Sequence, residues 1–114
     1  MARKTSNAAS LRGALDLMVL GVLETEPLHG YAIAQTIHER ADEQVRVEEG
    51  SLYPALYRME SKGWVRASWG RNDNNRRVRA YAITAAGQRR LEDERAAWLS
   101  FSEAVVKIAG LGRP

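Results

Sequence analysis

"GWVRASWGRNDNNRRVRAYAIT", residues Gly63 to Thr84, is the stretch on which the fold turns. Trp64, Arg66 and Ser68 alternate with Val65, Ala67 and Trp69; Val78, Ala80 and Ala82 alternate with Arg79, Tyr81 and Ile83. A period of two marks strands, because successive side chains point to opposite faces. The intervening "GRNDNNRR" is rich in Gly and Asn, which tolerate positive φ, so it reads as a hairpin connection with an arginine-flanked tip. From Trp64 to Ile83, five arginines (Arg66, Arg71, Arg76, Arg77, Arg79) stand against one acid, Asp73. This segment is therefore +4, and the rest of the 114-residue chain is −1. Positive charge focused in this way suits a polyanionic partner; a solvated charged hairpin is the alternative at this point.

Just upstream lies "EEGSLYPALYRMESKGW", Glu48 to Trp64. With Ser51 as N-cap, Pro54 becomes the third helical residue, where a missing N–H costs nothing. The helix then runs to about Lys62 and stops at Gly63. Leu52, Leu56 and Met59 face inward, leaving Tyr53, Tyr57, Arg58 and Lys62 on other sides. Earlier in the chain, a first helix is expected from Ser10 to Glu24 and a second from about Gly30 to Ala41. Val45 and Val47, alternating with polar residues, suit a very short strand. The first helix is apolar nearly all round, with Leu17 and Leu20 lying off its main stripe. Such a helix is buried on more than one side, partly against a second subunit. After the hairpin, Thr84 caps a long helix, Ala85 to about Ala109, with Gly87 as a local penalty. Leu91, Trp98 and Val105 are seven apart, as are Phe101 and Ile108, the spacing of a short dimer seam interrupted at Glu94.

These elements predict an α+β, mainly α chain: a winged helix-turn-helix with a long C-terminal dimerisation helix. Met1 to about Ala9 is expected to be a flexible basic arm, residues 10–83 the DNA-binding domain, and residues 84–114 the dimerisation helix and tail. In such a fold the third helix enters the DNA major groove and the hairpin reaches the adjacent backbone. Ser51 and Tyr53, at the start of that helix, suit a phosphate or a base edge. Tyr57 and Arg58 follow one turn on, and Arg58 has the geometry for guanine. Arg71, Arg76, Arg77 and Arg79 suit phosphate contact or minor-groove insertion. A two-fold dimer, joined through Leu17, Leu20, Leu91, Trp98, Phe101, Val105 and Ile108, calls for a pseudo-palindromic operator in double-stranded DNA. Trp98 either packs at the seam or lines a pocket for a flat aromatic ligand.

Other classes recede. No cysteine is present, which excludes disulfides, thiolate metal sites and cysteine nucleophiles. No apolar run has membrane-spanning length and no secretory leader is recognisable, so a cytoplasmic protein without membrane association is expected. His38-Glu39 starts like HExxH but meets Asp42, and Ser51 lies outside any GxSxG. No enzyme, metal or cofactor is expected. A winged-helix module that binds an acidic protein partner instead of DNA is the rival reading.

"PLHGYAIAQTI" (Pro27 to Ile37), "EEGSLYPALYRMESKGWV" (Glu48 to Val65) and "RRVRAYAITAAGQRRL" (Arg76 to Leu91) together resemble the PadR family of bacterial transcriptional regulators. The resemblance covers about Leu11 to Phe101, and the single last helix is similar to that of the family's small members. It implies a repressor that dimerises through its first and last helices. Its DNA affinity would fall when a small molecule or other signal changes the angle between the recognition helices. It also implies DNA contacts from Tyr31, Ser51, Tyr53, Pro54, Tyr57 and the wing. For some small members it implies planar aromatic ligands held between paired tryptophans, where Trp98 falls in a comparable place. Ala80 and Ala82 depart from the family's usual tyrosine and basic residue.

Overall fold

The computed structural model describes residues 11–112. It runs in the order α1 (Leu11–Leu23), β1 (Leu28–His29), α2 (Gly30–Arg40), α3 (Glu49–Ser61), β2 (Val65–Arg71), β3 (Arg77–Ile83) and α4 (Ala85–Ala109). The expected basic arm and the Ser10 cap lie outside the described residues. The three strands form an antiparallel sheet in the order β1-β3-β2. The hairpin register runs from Val65 opposite Ile83 to Arg71 opposite Arg77, and β1 pairs Leu28 with Tyr81. The chain is therefore mainly helical with a small sheet, a winged helix-turn-helix.

The core explains this arrangement. Val19, Leu20, Val22 and Leu23 of α1 pack with Ile33 and Ile37 of α2 and with Leu52, Leu56 and Met59 of α3. Val65 and Tyr81 at the base of the hairpin and Leu91 of α4 close it. Leu20 and Leu91 were expected at a dimer seam. Both are fully enclosed in this core and present no surface to a second copy. Truncating a side chain so enclosed typically costs about 2–5 kcal/mol, so these two serve the single chain's stability.

Two expectations about α3 and its approach need correction. Ser51 is not the cap: the helix begins at Glu49, with Glu48 as N-cap and no side-chain cap bond. The Glu48 carbonyl accepts from both Ser51 and Leu52 N–H groups. Pro54 therefore sits deeper in the helix, where its absent N–H leaves the carbonyl four residues back, at Gly50, without a helical donor. Gly50 is exposed, so water can satisfy that carbonyl. The strand expected at Val45 and Val47 does not form either. The edge of β3 away from β2 is already taken by Leu28–His29. Val45 and Val47 instead pack half-buried against the core, and Asp42 and Glu43 turn the chain with positive φ.

The end of α3 follows expectation. Gly63 adopts φ +80, its N–H donates to Glu60 O, and Trp64 N–H reaches back to Met59 O. This pair of bonds is a Schellman motif, which needs a left-handed residue at that point. Thr84 caps α4 by accepting from Gly87 N–H at 3.0 Å, and its own hydroxyl donates to Gly63 O at 2.6 Å. Thr84 N–H also donates to Trp64 O. Gly87 is thus no defect: a Cβ there would collide with the Trp64 carbonyl oxygen and lie 2.7 Å from Ile83 Cγ1. The close approach clips α4 to the base of the hairpin.

Candidate nucleic-acid interface

The exposed face of α3 carries Ser51, Tyr53, Pro54 and Tyr57, the last 73% exposed. These positions are left outside because Leu52, Ala55, Leu56 and Met59 take the inward face at three- and four-residue spacing. Tyr31, at the start of α2, is 60% exposed beside them. Tyr53 lies across the amino end of α2, so close that any Cβ at Gly30 would fall 2.6 Å from its ring and hydroxyl. Glycine at position 30 is what lets the two helices meet in this way. His29 caps α2 by accepting weakly from Ala32 N–H at 3.4 Å.

The hairpin folds toward this face. Residues alternate along β2 and β3, so Val65, Ala67, Trp69 and Arg71 share one side with Ile83, Tyr81, Arg79 and Arg77. At the base that side is core; at the tip it projects beyond the core and becomes surface. An open cleft of about 390 Å³ results, lined by Tyr31 and Tyr53 from the helices and by Trp69, Arg77, Arg79 and Tyr81 from the wing. Burial, reinforced by Glu49 and then Tyr81, raises the Tyr53 phenol above its ordinary value. Tyr81 is raised chiefly by burial, with Arg79 opposing and Glu60 adding. Both hydroxyls therefore stay protonated and can donate hydrogen bonds to an anion.

The turn at the tip is built by asparagines. Asn72 Oδ1 accepts from both Asn74 and Arg76 N–H groups, Asn75 N–H donates to Asn72 O, and Asn75 takes φ +63. Arg71 donates from its guanidinium to the Asn75 carbonyl at 2.9 Å, bracing the same turn. The Arg76 side chain is exposed at the tip, with no ion-pair partner among the described residues. Arg79 pairs with Glu60 of α3 at 3.0 Å, tying wing to helix.

Arg58, expected as a DNA contact, is turned toward α1. Its guanidinium forms a two-pronged pair with Asp16 of α1, at 2.9 and 3.0 Å. The side chains are 23% and 3% exposed respectively. With both Nη groups donating to Asp16, the end of the guanidinium is committed within the chain, and Arg58 anchors α3 on α1. Sequence reading missed Asp16 as its partner, although an acid inside the apolar "LDLMVL" run was a signal that something must pair with it. It also assigned no role to Trp69 or Asn72.

Comparison with known proteins now decides the family. The profile of the Transcriptional regulator PadR-like family matches residues 19–93. The chain belongs to this PadR-like family. A PadR family transcriptional regulator from Eggerthella lenta is 30% identical, covering 95% of this chain and 93% of its own, with a TM-score of 0.73. A PadR family transcription regulator from Clostridium difficile is also 30% identical, over 83% of this chain and 96% of its own, at TM-score 0.69. A transcriptional regulator from Clostridium thermocellum, 24% identical, shares the fold at TM-score 0.77 over 93% and 97% of the two chains. The PadR-like family consists of transcriptional regulators, not enzymes, and this chain is accordingly a DNA-binding regulator. No helix among its described residues is long and apolar enough to cross a membrane.

Beyond the DNA-facing side, this PadR-like chain exposes apolar surface along α4. The residues of α4 buried in the chain itself are Gly87, Leu91 and Glu94. From Leu99 onward, Leu99, Phe101 and Ile108 stand exposed, Ile108 at 86%, with Val105 half-buried. Trp98 and Phe101 meet edge to face at 5.8 Å, and a shallow groove next to them is lined by Leu17, Trp98 and Leu99. Glu94, the break in the heptad, is wholly buried. Arg90 Nη2 lies 2.6 Å from its Oε2, an i, i+4 ion pair. Burial is the main cause that raises the Glu94 carboxyl, with Arg90 opposing and Asp16 and Asp93 adding.

Proposed function

We propose that the chain is a homodimeric, sequence-specific repressor of transcription acting in the cytoplasm. The observation that carries this reading is the gathering of Tyr31, Ser51, Tyr53, Pro54 and Tyr57 on one exposed face beside a wing bearing Arg71, Arg76, Arg77 and Arg79. The helix residues read the major groove and the wing arginines hold backbone phosphates. Because Ser51 N–H is spent on Glu48 O, Ser51 acts through its hydroxyl alone.

Dimerisation runs through Leu17, Trp98, Phe101, Val105 and Ile108. An α4 whose second half exposes Phe101 and Ile108 supports it, since exposed apolar side chains gathered along one helix mark an interaction surface. A two-fold pair of protomers sets two α3 helices about 34 Å apart and reads a pseudo-palindromic operator. A planar aromatic molecule seated against Trp98, in the groove shared with Leu17 and Leu99, changes the crossing of the α4 helices and releases the operator.

The test is a gel-shift titration on the promoter of the chain's own operon across salt concentrations. Log affinity should fall linearly with log salt, by about 0.9 per phosphate contact. Phe101→Glu with Ile108→Glu should yield a monomer by sedimentation and lose operator affinity. A flat salt response, or a double variant that remains dimeric, contradicts the corresponding half of the reading.

A further inference from the structure

Trp69 is 61% exposed on a strand, a place where threonine or valine would pair equally well. What distinguishes its indole is its neighbours. Arg77 lies with its guanidinium carbon 4.3 Å from the ring centroid, and Arg79 lies at 5.9 Å. Register explains both contacts: Arg79 is directly opposite Trp69, and Arg77 is the diagonal neighbour on the same face. Arg79 is further fixed by Glu60. Arg77 has no ion-pair partner among the described residues, so the indole is what holds it.

This matters for binding because a free arginine loses considerable rotamer entropy when it settles on a phosphate. An arginine already stacked on a ring has given up part of that freedom before the ligand arrives. The stack also aims the cation. The indole face lies on the side of the hairpin that looks into the cleft with Tyr31 and Tyr53. On the opposite side Arg66 points away from that cleft.

We propose that Trp69 is a positioning residue of the wing: its ring holds Arg77, next to Arg79, toward the cleft closed by Tyr31 and Tyr53, where a phosphate of the DNA backbone is received. The proposal rests on the DNA-binding reading above. It assigns Trp69 no base contact of its own. Its effect on affinity passes through Arg77 and is the same for every sequence.

The experiment compares Trp69→Leu, which keeps apolar bulk but removes the π face, with Trp69→Phe, which keeps a smaller one. Operator and random duplexes are titrated over salt. Trp69→Leu should weaken binding to both by about three- to tenfold. It should also lower the salt slope of a dimer by up to about 0.9 for each phosphate that a wing no longer holds. Trp69→Phe should restore most of both. Arg77→Ala should add little on the Trp69→Leu background, because the two act as one unit. In the free protein, the Arg77 side-chain protons should show an upfield ring-current shift that Trp69→Leu abolishes. A Trp69→Leu protein that matches the wild type in affinity and slope overturns the proposal alone, as does full additivity with Arg77→Ala. A wild type without salt-dependent DNA binding overturns the DNA reading and this proposal with it.

Discussion

Replacing Arg58 separates two roles that a recognition-helix arginine can have. If Arg58 read DNA, Arg58→Met would leave folding intact and erode discrimination by the worth of one bidentate base contact, about 1–3 kcal/mol. The structure predicts the reverse. Asp16 is 3% exposed and receives both prongs of the guanidinium, so removing Arg58 strands a carboxylate inside the core. Breaking a buried pair from one side typically costs about 3–5 kcal/mol. For a domain whose whole stability is about 5–15 kcal/mol, that is a large share.

The partner substitutions sharpen the expectation. Asp16→Asn leaves Arg58 able to reach water, being 23% exposed, and should cost less, about 1–3 kcal/mol. Asp16→Leu with Arg58→Met removes both charges, and the double variant should recover to within about 2 kcal/mol of the wild type. Urea unfolding followed by circular dichroism measures each corner of the cycle. The folded double variant should then bind operator with near wild-type affinity and sequence preference. An Arg58→Met protein that loses less than about 1 kcal/mol of stability, together with a double variant that folds but no longer discriminates sites, would refute the anchoring role and return Arg58 to the DNA.

Other expectations concern α4. Gly87→Ala should lower the melting temperature, because overpacking against the Trp64 carbonyl, about 1–3 kcal/mol, outweighs the roughly 1 kcal/mol gained in helix propensity; a raised melting temperature would contradict the close approach. Glu94 is raised in the folded chain, chiefly by burial, so the native state takes up its proton at higher pH than the unfolded chain does. Its share of stability therefore grows as pH falls through the native titration and levels off in the ordinary carboxylate range. Glu94→Gln should flatten that part of the curve in denaturation measured against pH, and superimposable curves would show that the carboxyl does not titrate in this way.

Much of this architecture is legible in the chain because periodicity reports which face is buried. The hairpin, the Gly63 stop, the Thr84 cap and the Ala85–Ala109 helix all follow from patterns within a few residues. What escapes a sequence reading is set by partners far away along the chain. Ser51 is a natural cap by residue type, yet Glu48 and Glu49 also tolerate a helix start, and helix boundaries are weakly encoded. The short strand forms at Leu28 rather than Val45, because alternation says nothing about which strand edge is free. Arg58 and Glu94 resemble a DNA contact and a heptad break, yet each faces a charge or a core supplied by another helix.

The same distinction governs how the wing's charge should be counted. Sequence arithmetic gives the hairpin +4, but its cations are not equivalent once folded. Arg79 is partly neutralised by Glu60, which belongs to α3 and lies outside the hairpin count. Arg71 spends donors on the Asn75 carbonyl and keeps its charge at the turn. Arg66 faces away from the cleft, and Arg76 and Arg77 carry the positive charge that reaches outward near the tip. About two to three phosphate contacts per protomer are therefore the reasonable yield of this wing, which for a dimer corresponds to a salt slope of about −4 to −5 from the wings alone. Tyr31, Ser51, Tyr53 and Tyr57 add hydrogen bonds without releasing counterions. Removing them should thus change affinity while leaving the slope in place, whereas removing Arg76 or Arg77 should change both.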